Sequence, residues 1–163
     1  MSTNIDAIKA RLQGLRKSNE QSNAKSFWTP PNGSTQVRIV PYKFNKEDPF
    51  TTVYIHYGLA KYPIISPVTY GEPDPIDMFA KKILENAESK DDWKLGKKLE
   101  PNPRTYLPVV VRDEESDGVR FWGFGKMVLE DLLALFADED YGDICDPIKG
   151  RDITVQKISP AQA

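Results

Sequence analysis

The sequence predicts a mainly β fold with some α: a small closed barrel of five strands, interrupted by an inserted subdomain and preceded by a helical arm. Two observations carry this reading. Short stretches with period-two alternation recur between clusters of turn residues, with one Leu-rich helical stretch among them. A region rich in Pro and charge, from Gly58 to Pro103, separates the second such stretch from the third. At 163 residues the chain fits one domain with an insertion better than two domains. The expected division is a basic N-terminal arm over 1–25 and a core over 26–163, with the insertion at about 59–103.

Each element has its own signal. Between Asn4 and Lys17, Ile5, Ile8, Leu12 and Leu15 recur at helical spacing, with the basic Lys9, Arg11, Arg16 and Lys17 off that stripe. Asn19 to Lys25 is polar and linker-like, and Phe27 to Gly33 carries turn chemistry. Thr35 to Val40 alternates with Val37 and Ile39 inward, and Thr51 to Tyr57 with Val53 and Ile55 inward. Thr105 to Arg112 points Leu107, Val109 and Val111 inward. Asp113 to Gly118 reads as a hairpin turn, and Val119 to Phe124 returns with Val119 and Phe121 inward. A Leu-rich helix follows over Lys126 to Phe136, and Asp152 to Ile158 is the last strand. Inside the insertion, Pro75 to Glu88 reads as a helix capped by Asp74, with Pro75 at its first position. Its apolar face, Ile76, Phe79, Ala80, Ile83 and Leu84, is expected to pack on Tyr62, Ile64, Ile65 and Trp93.

Charge and composition exclude several classes. No apolar run is long enough for a membrane helix, and Met1 to Lys17 lacks the apolar centre of a secretory signal. A single cysteine, Cys145, forms neither an internal disulfide nor a cysteine-rich zinc site, so a reducing intracellular setting is expected. The net charge is −2, yet Met127 to Asp146 holds seven acids and no base, which leaves 22 bases against 17 acids elsewhere. For a nucleic-acid footprint the placement of charge matters more than its sum.

The outward parity of the strands interleaves cations with rings. The first presents Arg38 and then Tyr42, and the second Tyr54 and His56. The third presents Arg104, Tyr106 and Arg112, and the fourth Arg120, Trp122 and Phe124, with Lys126 just beyond. Bases stack on aromatic faces while cations neutralise phosphates, so this face suits a single strand, whose bases are not hidden in a duplex. Other chemistry is thin. Gly123 and Gly125 belong to no phosphate-binding loop, and His56, the only histidine, has no accompanying nucleophile motif. The acids Asp138 to Asp143 do not match an EF-hand spacing. An enzyme is therefore not expected.

Four stretches resemble the replicative single-stranded DNA-binding (helix-destabilising) proteins of T-even-like tailed phages, in particular a divergent marine, cyanophage-type branch. They are Val37-Arg38-Ile39-Val40-Pro41; Tyr54-Ile55-His56-Tyr57-Gly58; Val109 to Asp113 with Arg120 to Lys126; and Asp143-Ile144-Cys145-Asp146-Pro147 with Gly150. The resemblance spans about Phe27 to Lys157. It implies an OB-fold core with a cleft that coats transient single strands in phage replication, recombination and repair. The implied location is the cytoplasm of an infected bacterial host. It also implies cooperative self-association through the arm, where Arg16-Lys17-Ser18 resembles the family's basic-then-hydroxyl motif, and contacts with other phage replication and recombination proteins. The family's long acidic C-terminal tail finds no match here.

Well-known members of the resembled family hold zinc with one His and three Cys in the insertion. Here His56 falls at the His position, Asp74-Pro75-Ile76-Asp77 falls where Cys-Pro-x-Cys would stand, and Ser66 is the nearest residue to the remaining Cys. Two carboxylates, a serine and an imidazole make a poor structural zinc site, so no cofactor and no zinc are expected. Two rival readings stay open: an OB-like protein-interaction module, whose binding would depend little on salt, and an RNA-binding OB domain, since discrimination rests on the 2′-hydroxyl.

Overall fold

The computed structural model describes residues 5, 6, 8–13, 26–43, 45 and 48–159. It is a mixed α/β structure with a seven-stranded open sheet and several helices. The strands are β1 (Phe27–Trp28), β2 (Gly33–Ile39), β3 (Thr51–His56), β4 (Ile64–Ile65), β5 (Asn102–Val111), β6 (Val119–Phe124) and β7 (Asp152–Lys157). The helices are α1 (Pro75–Glu85), α2 (Lys90–Leu99) and α3 (Lys126–Ala137), with short 3-10 segments at Pro67–Tyr70 and Arg112–Asp117. The strand path runs β1-β6-β5-β2-β7, and β3 pairs with both β4 and β5. Beyond the five expected strands, β1 and β4 are two-residue additions. Residues 5, 6 and 8–13 are helical, as the arm's periodicity predicts; Arg16 and Lys17 lie outside the described residues. Among the described residues no helix is long and apolar enough to cross a membrane.

The chain divides into two compact units: one of residues 1–49, 107–123 and 140–163, the other of residues 50–106 and 124–139. The first is built on the alternation read from β2 and the end of β5. Val37 pairs with Val111 and Ile39 with Val109, and all four, with Leu107, are at most 1% exposed. Directly paired residues share a sheet face, so this register makes one continuous apolar surface.

β6 departs from the expected parity. Val119 and Phe121, expected inward, are 53% and 39% exposed, while Arg120, Trp122 and Phe124 are buried. Apolar side chains occupy both parities of this strand, so alternation alone does not orient it. Burial of the larger rings decides the matter: Trp122 meets Trp28 edge-on with centroids 5.7 Å apart, beside the parallel β1–β6 pairing. Arg120 tolerates burial because Glu114 and Asp117 compensate its charge from the preceding 3-10 segment.

In the second unit, β3 pairs with β4 and with the first half of β5. Asp74 caps α1, accepting from the amides of Ile76 and Asp77, with Pro75 opening the helix as expected. The helix stops at Glu85, three residues short of the expected end. A second helix, α2, follows from a reciprocal Ser89–Asp92 capping box. The expected packing of the insertion is corrected. Ala80 is buried, but Phe79 and Trp93 are 57% and 53% exposed, and Tyr62, Ile64 and Ile65 are exposed too. The two helices meet through small residues. A Cβ on Gly96 would come 2.6 Å from Leu84 Cγ and 3.3 Å from the Ala80 carbonyl oxygen. Close approach at Ala80 and Gly96 leaves the large side chains at the flanks.

Candidate nucleic-acid interface

Within the first unit, the guanidinium groups expected to face phosphate are engaged by the protein itself. Arg38 stands opposite Asp152 across β2 and β7. Its Nη1 donates to the Gly150 carbonyl at 2.5 Å and its Nη2 to the Asp146 carbonyl at 2.9 Å. It therefore clamps the loop that leads into β7. That loop is held further by Asp143 Oδ1, which accepts from the Cys145 amide, and by Asp146 Oδ1, which accepts from the Ile148 and Lys149 amides. Gly150 is required there, since a Cβ would lie 2.4 Å from two carbonyl oxygens. The Asp143-to-Gly150 motif thus has a complete structural account in the clamp.

Arg112 grips Asp152 in a bidentate pair, Nε at 2.9 Å and Nη2 at 2.8 Å, and reaches Glu115 at 2.7 Å. These partners raise the Arg112 pKa. The same bonds, against the opposing effect of burial, hold the Asp152 carboxyl below its ordinary value. Arg120 is 7% exposed and bonds Glu114 at 2.5 Å, with its Nε buried and without a partner. Trp122 is 5% exposed. Tyr42 is half-buried and bridges to Asn45. Among the described residues of this unit, exposed rings include Phe27 and Phe121, 60% and 39% exposed and paired across β1 and β6 with centroids 6.2 Å apart, and Tyr141, 41% exposed with the Arg151 guanidinium over its ring. The sequence reading missed the Phe pair because it placed Phe121 in the core and Phe27 in a turn.

Within the second unit, the register sorts the remaining candidates. Val53 pairs with Arg104 and Thr51 with Tyr106, so Arg104 and Tyr106 share one face of β5. Arg104 is exposed and Tyr106 half-buried. Tyr54 pairs with Pro103 and so occupies the opposite face. It lines a pocket of about 320 Å³ with Val68, Asp77, Lys81, Glu100 and Pro101. Phe124 is 4% exposed. Lys126 opens α3 in full solvent, 3.4 Å from Glu130, a separation and exposure at which an ion pair is weak. Lys9 and Arg11 of the arm are exposed.

His56, expected on the outward face, is 1% exposed. Its Nε2 lies 2.7 Å from Asp74 Oδ2, the same oxygen to which Ser66 Oγ donates. Because a carboxylate only accepts, Nε2 carries the proton, and the buried Nδ1 has no partner. The cluster contains the three residue types of a hydrolytic triad in the wrong order. Asp74 is the central member, Ser66 bonds the carboxylate rather than the imidazole, and all three are buried. Burial alone would raise the Asp74 pKa, but the bonds from His56, Ser66 and the Ile76 and Asp77 amides outweigh it and hold the group at about 2.

These residues do not fit a structural zinc. Asp77 turns to Lys81 Nζ at 2.7 Å. The only thiol, Cys145, belongs to the first unit, and burial pushes its pKa up to about 11. Among the described residues no three His, Cys, Asp or Glu side chains converge in a way that could hold a metal. Comparison of the chain with protein-family models and with curated proteins finds no match.

Proposed function

We propose that this chain is a non-enzymatic single-stranded DNA-binding protein of the phage type its motifs resemble, built on an OB-type core and coating transient single strands. The observation that supports it best is the pairing of Arg104 and Tyr106 on one face of β5. There an exposed guanidinium stands two residues, about 7 Å, from an aromatic ring. That is the elementary unit of single-strand recognition: a cation for the phosphate beside a ring for the base. The exposed Phe27–Phe121 pair adds a second ring surface in place of Trp122. For the OB-type reading, the support is β5 itself. It pairs with β3 through its first half, with β2 through its second half, and also with β6. One long strand shared among several partners is a feature that supports a β-rich core of this type.

The proposal is tested by titrating the protein with oligo-dT, oligo-U and duplex DNA at several salt concentrations. It expects oligo-dT to bind more tightly than duplex, with affinity falling as salt rises. Binding to none of them, or binding of an unstructured peptide with no salt dependence, overturns it in favour of a protein-interaction module. A clear preference for oligo-U over oligo-dT moves the reading to RNA.

A further inference from the structure

We infer that Asp74, His56 and Ser66 form a metal-independent hub that closes the insertion, at the positions where the resembled family places zinc ligands. Three separate pieces of chain meet there. His56 is the last residue of β3, Ser66 follows β4, and Asp74 precedes α1. The backbone alone joins the first two, through the His56–Ile64 register and the Ser66 amide bonded to the Tyr54 carbonyl at 2.8 Å. The Asp74 carboxylate ties the start of α1 to them.

The bonding of that carboxylate is complete. Oδ2 accepts from His56 Nε2 and Ser66 Oγ, and Oδ1 accepts from the Ile76 amide at 2.8 Å and the Asp77 amide at 3.3 Å. An ionised carboxylate offers about four lone-pair sites, so these four donors occupy it and none remains for a cation. The first three side chains are at most about 1% exposed, so water does not compete for the bonds. The nearby Asp77 has its own cation in Lys81. A tetrahedral metal would have to break the hub, uncap α1 and release that pair, and would gain no thiolate in return. Four hydrogen bonds to one buried anion therefore do the joining that metal coordination does in the resembled family. This inference is independent of whether the chain binds nucleic acid.

The test combines metal analysis, thermal unfolding and one spectrum. Purified full-length protein should contain only substoichiometric zinc, and neither a chelator nor equimolar zinc should move its thermal midpoint. Asp74→Asn keeps size but replaces one acceptor by a donor facing two donors. It should lower the midpoint by about 5 °C or more, and Ser66→Ala should lower it by less. Stoichiometric zinc whose removal lowers the midpoint, or an Asp74→Asn midpoint equal to wild type, overturns the hub. Should Asp74→Asn fail to fold, the wild-type chain still decides. Its single histidine gives one set of imidazole nitrogen resonances. These should show Nε2 protonated and unmoved by added zinc, and a zinc-induced shift of them overturns the inference.

Discussion

Trp122 is 5% exposed and set edge-on against Trp28, whereas Phe121 beside it is 39% exposed. Substitutions at the two should therefore separate stability from binding. Trp122→Ala should cost about 3–5 kcal/mol in urea unfolding, the usual loss for a buried aromatic. Phe121→Ala should weaken oligo-dT binding about tenfold or more, since stacking contributes about 1–3 kcal/mol per base, while leaving the unfolding midpoint close to wild type. A Trp122→Ala chain of normal stability with impaired binding would reverse this assignment. Charge at single residues has a pH signature. Arg112, opposed by burial and aided by Arg38, holds Asp152 below its ordinary 3.8. A depressed folded pKa means the contribution is fully present above that value and lost as pH falls below it. The thermal midpoint of the wild type should accordingly drop with acid below about pH 4, and Asp152→Asn should drop less steeply over the same range.

The insertion helices are held by a feature that hydrophobic patterning does not register. Gly96 sits inside α2, where alanine would be favoured by about 1 kcal/mol on intrinsic propensity. Yet a Cβ there would lie 2.6 Å from Leu84 Cγ. Gly96→Ala should therefore destabilise the protein by about 1–3 kcal/mol despite the better helix former, as urea unfolding would show. A stabilised Gly96→Ala would mean the helices separate freely. The same contact explains where sequence reading stops. Strands β2, β3, β5 and β7 were legible because one parity of each is plainly apolar, and the cap and first position of α1 because Asp74-Pro75 has local chemistry. α2 is legible only in its Ser89–Asp92 cap, a signal the sequence reading leaves unused because it assigns Trp93 to the core. β6 was ambiguous because Val119, Phe121, Trp122 and Phe124 fill both parities. Within the candidate interface, Arg104 and Tyr106 stand on one face as read. The internal pairing of Arg38, Arg112 and Arg120 depends on acids 6 or fewer, 40 or 114 positions away, and alternation holds no information about such partners.

For the molecule as a whole, charge distribution sets the expected response to salt. A cation already bonded to a carboxylate contributes little when a phosphate arrives, so Arg38, Arg112 and Arg120 should add little to counterion release. The log–log slope of oligo-dT affinity against salt should then be modest, at about −0.7 per phosphate neutralised. Arg104→Ala, at an exposed position on the face of β5 proposed to meet the strand, should flatten it by about one such step, and Arg112→Ala should lower the thermal midpoint. The arm poses a separate question. Ile5, Ile8 and Leu12 are 62%, 55% and 47% exposed on a helical segment whose Lys9 and Arg11 are exposed as well. An amphipathic segment with its apolar stripe in solvent suits a partner, and on the proposed coating function the nearest partner is the next copy along the strand. Tethering copies on one strand makes each such contact effectively intramolecular, so a weak contact multiplies affinity without new contacts to the bases. Deleting residues 1–17 should thus leave affinity for an oligonucleotide long enough for one copy unchanged. Affinity for a strand holding many copies should fall about a hundredfold, with the binding curve losing its steepness. Equal losses on short and long strands would instead mean that Lys9 and Arg11 contact phosphate directly, and that the arm belongs to the binding surface rather than to the contact between copies.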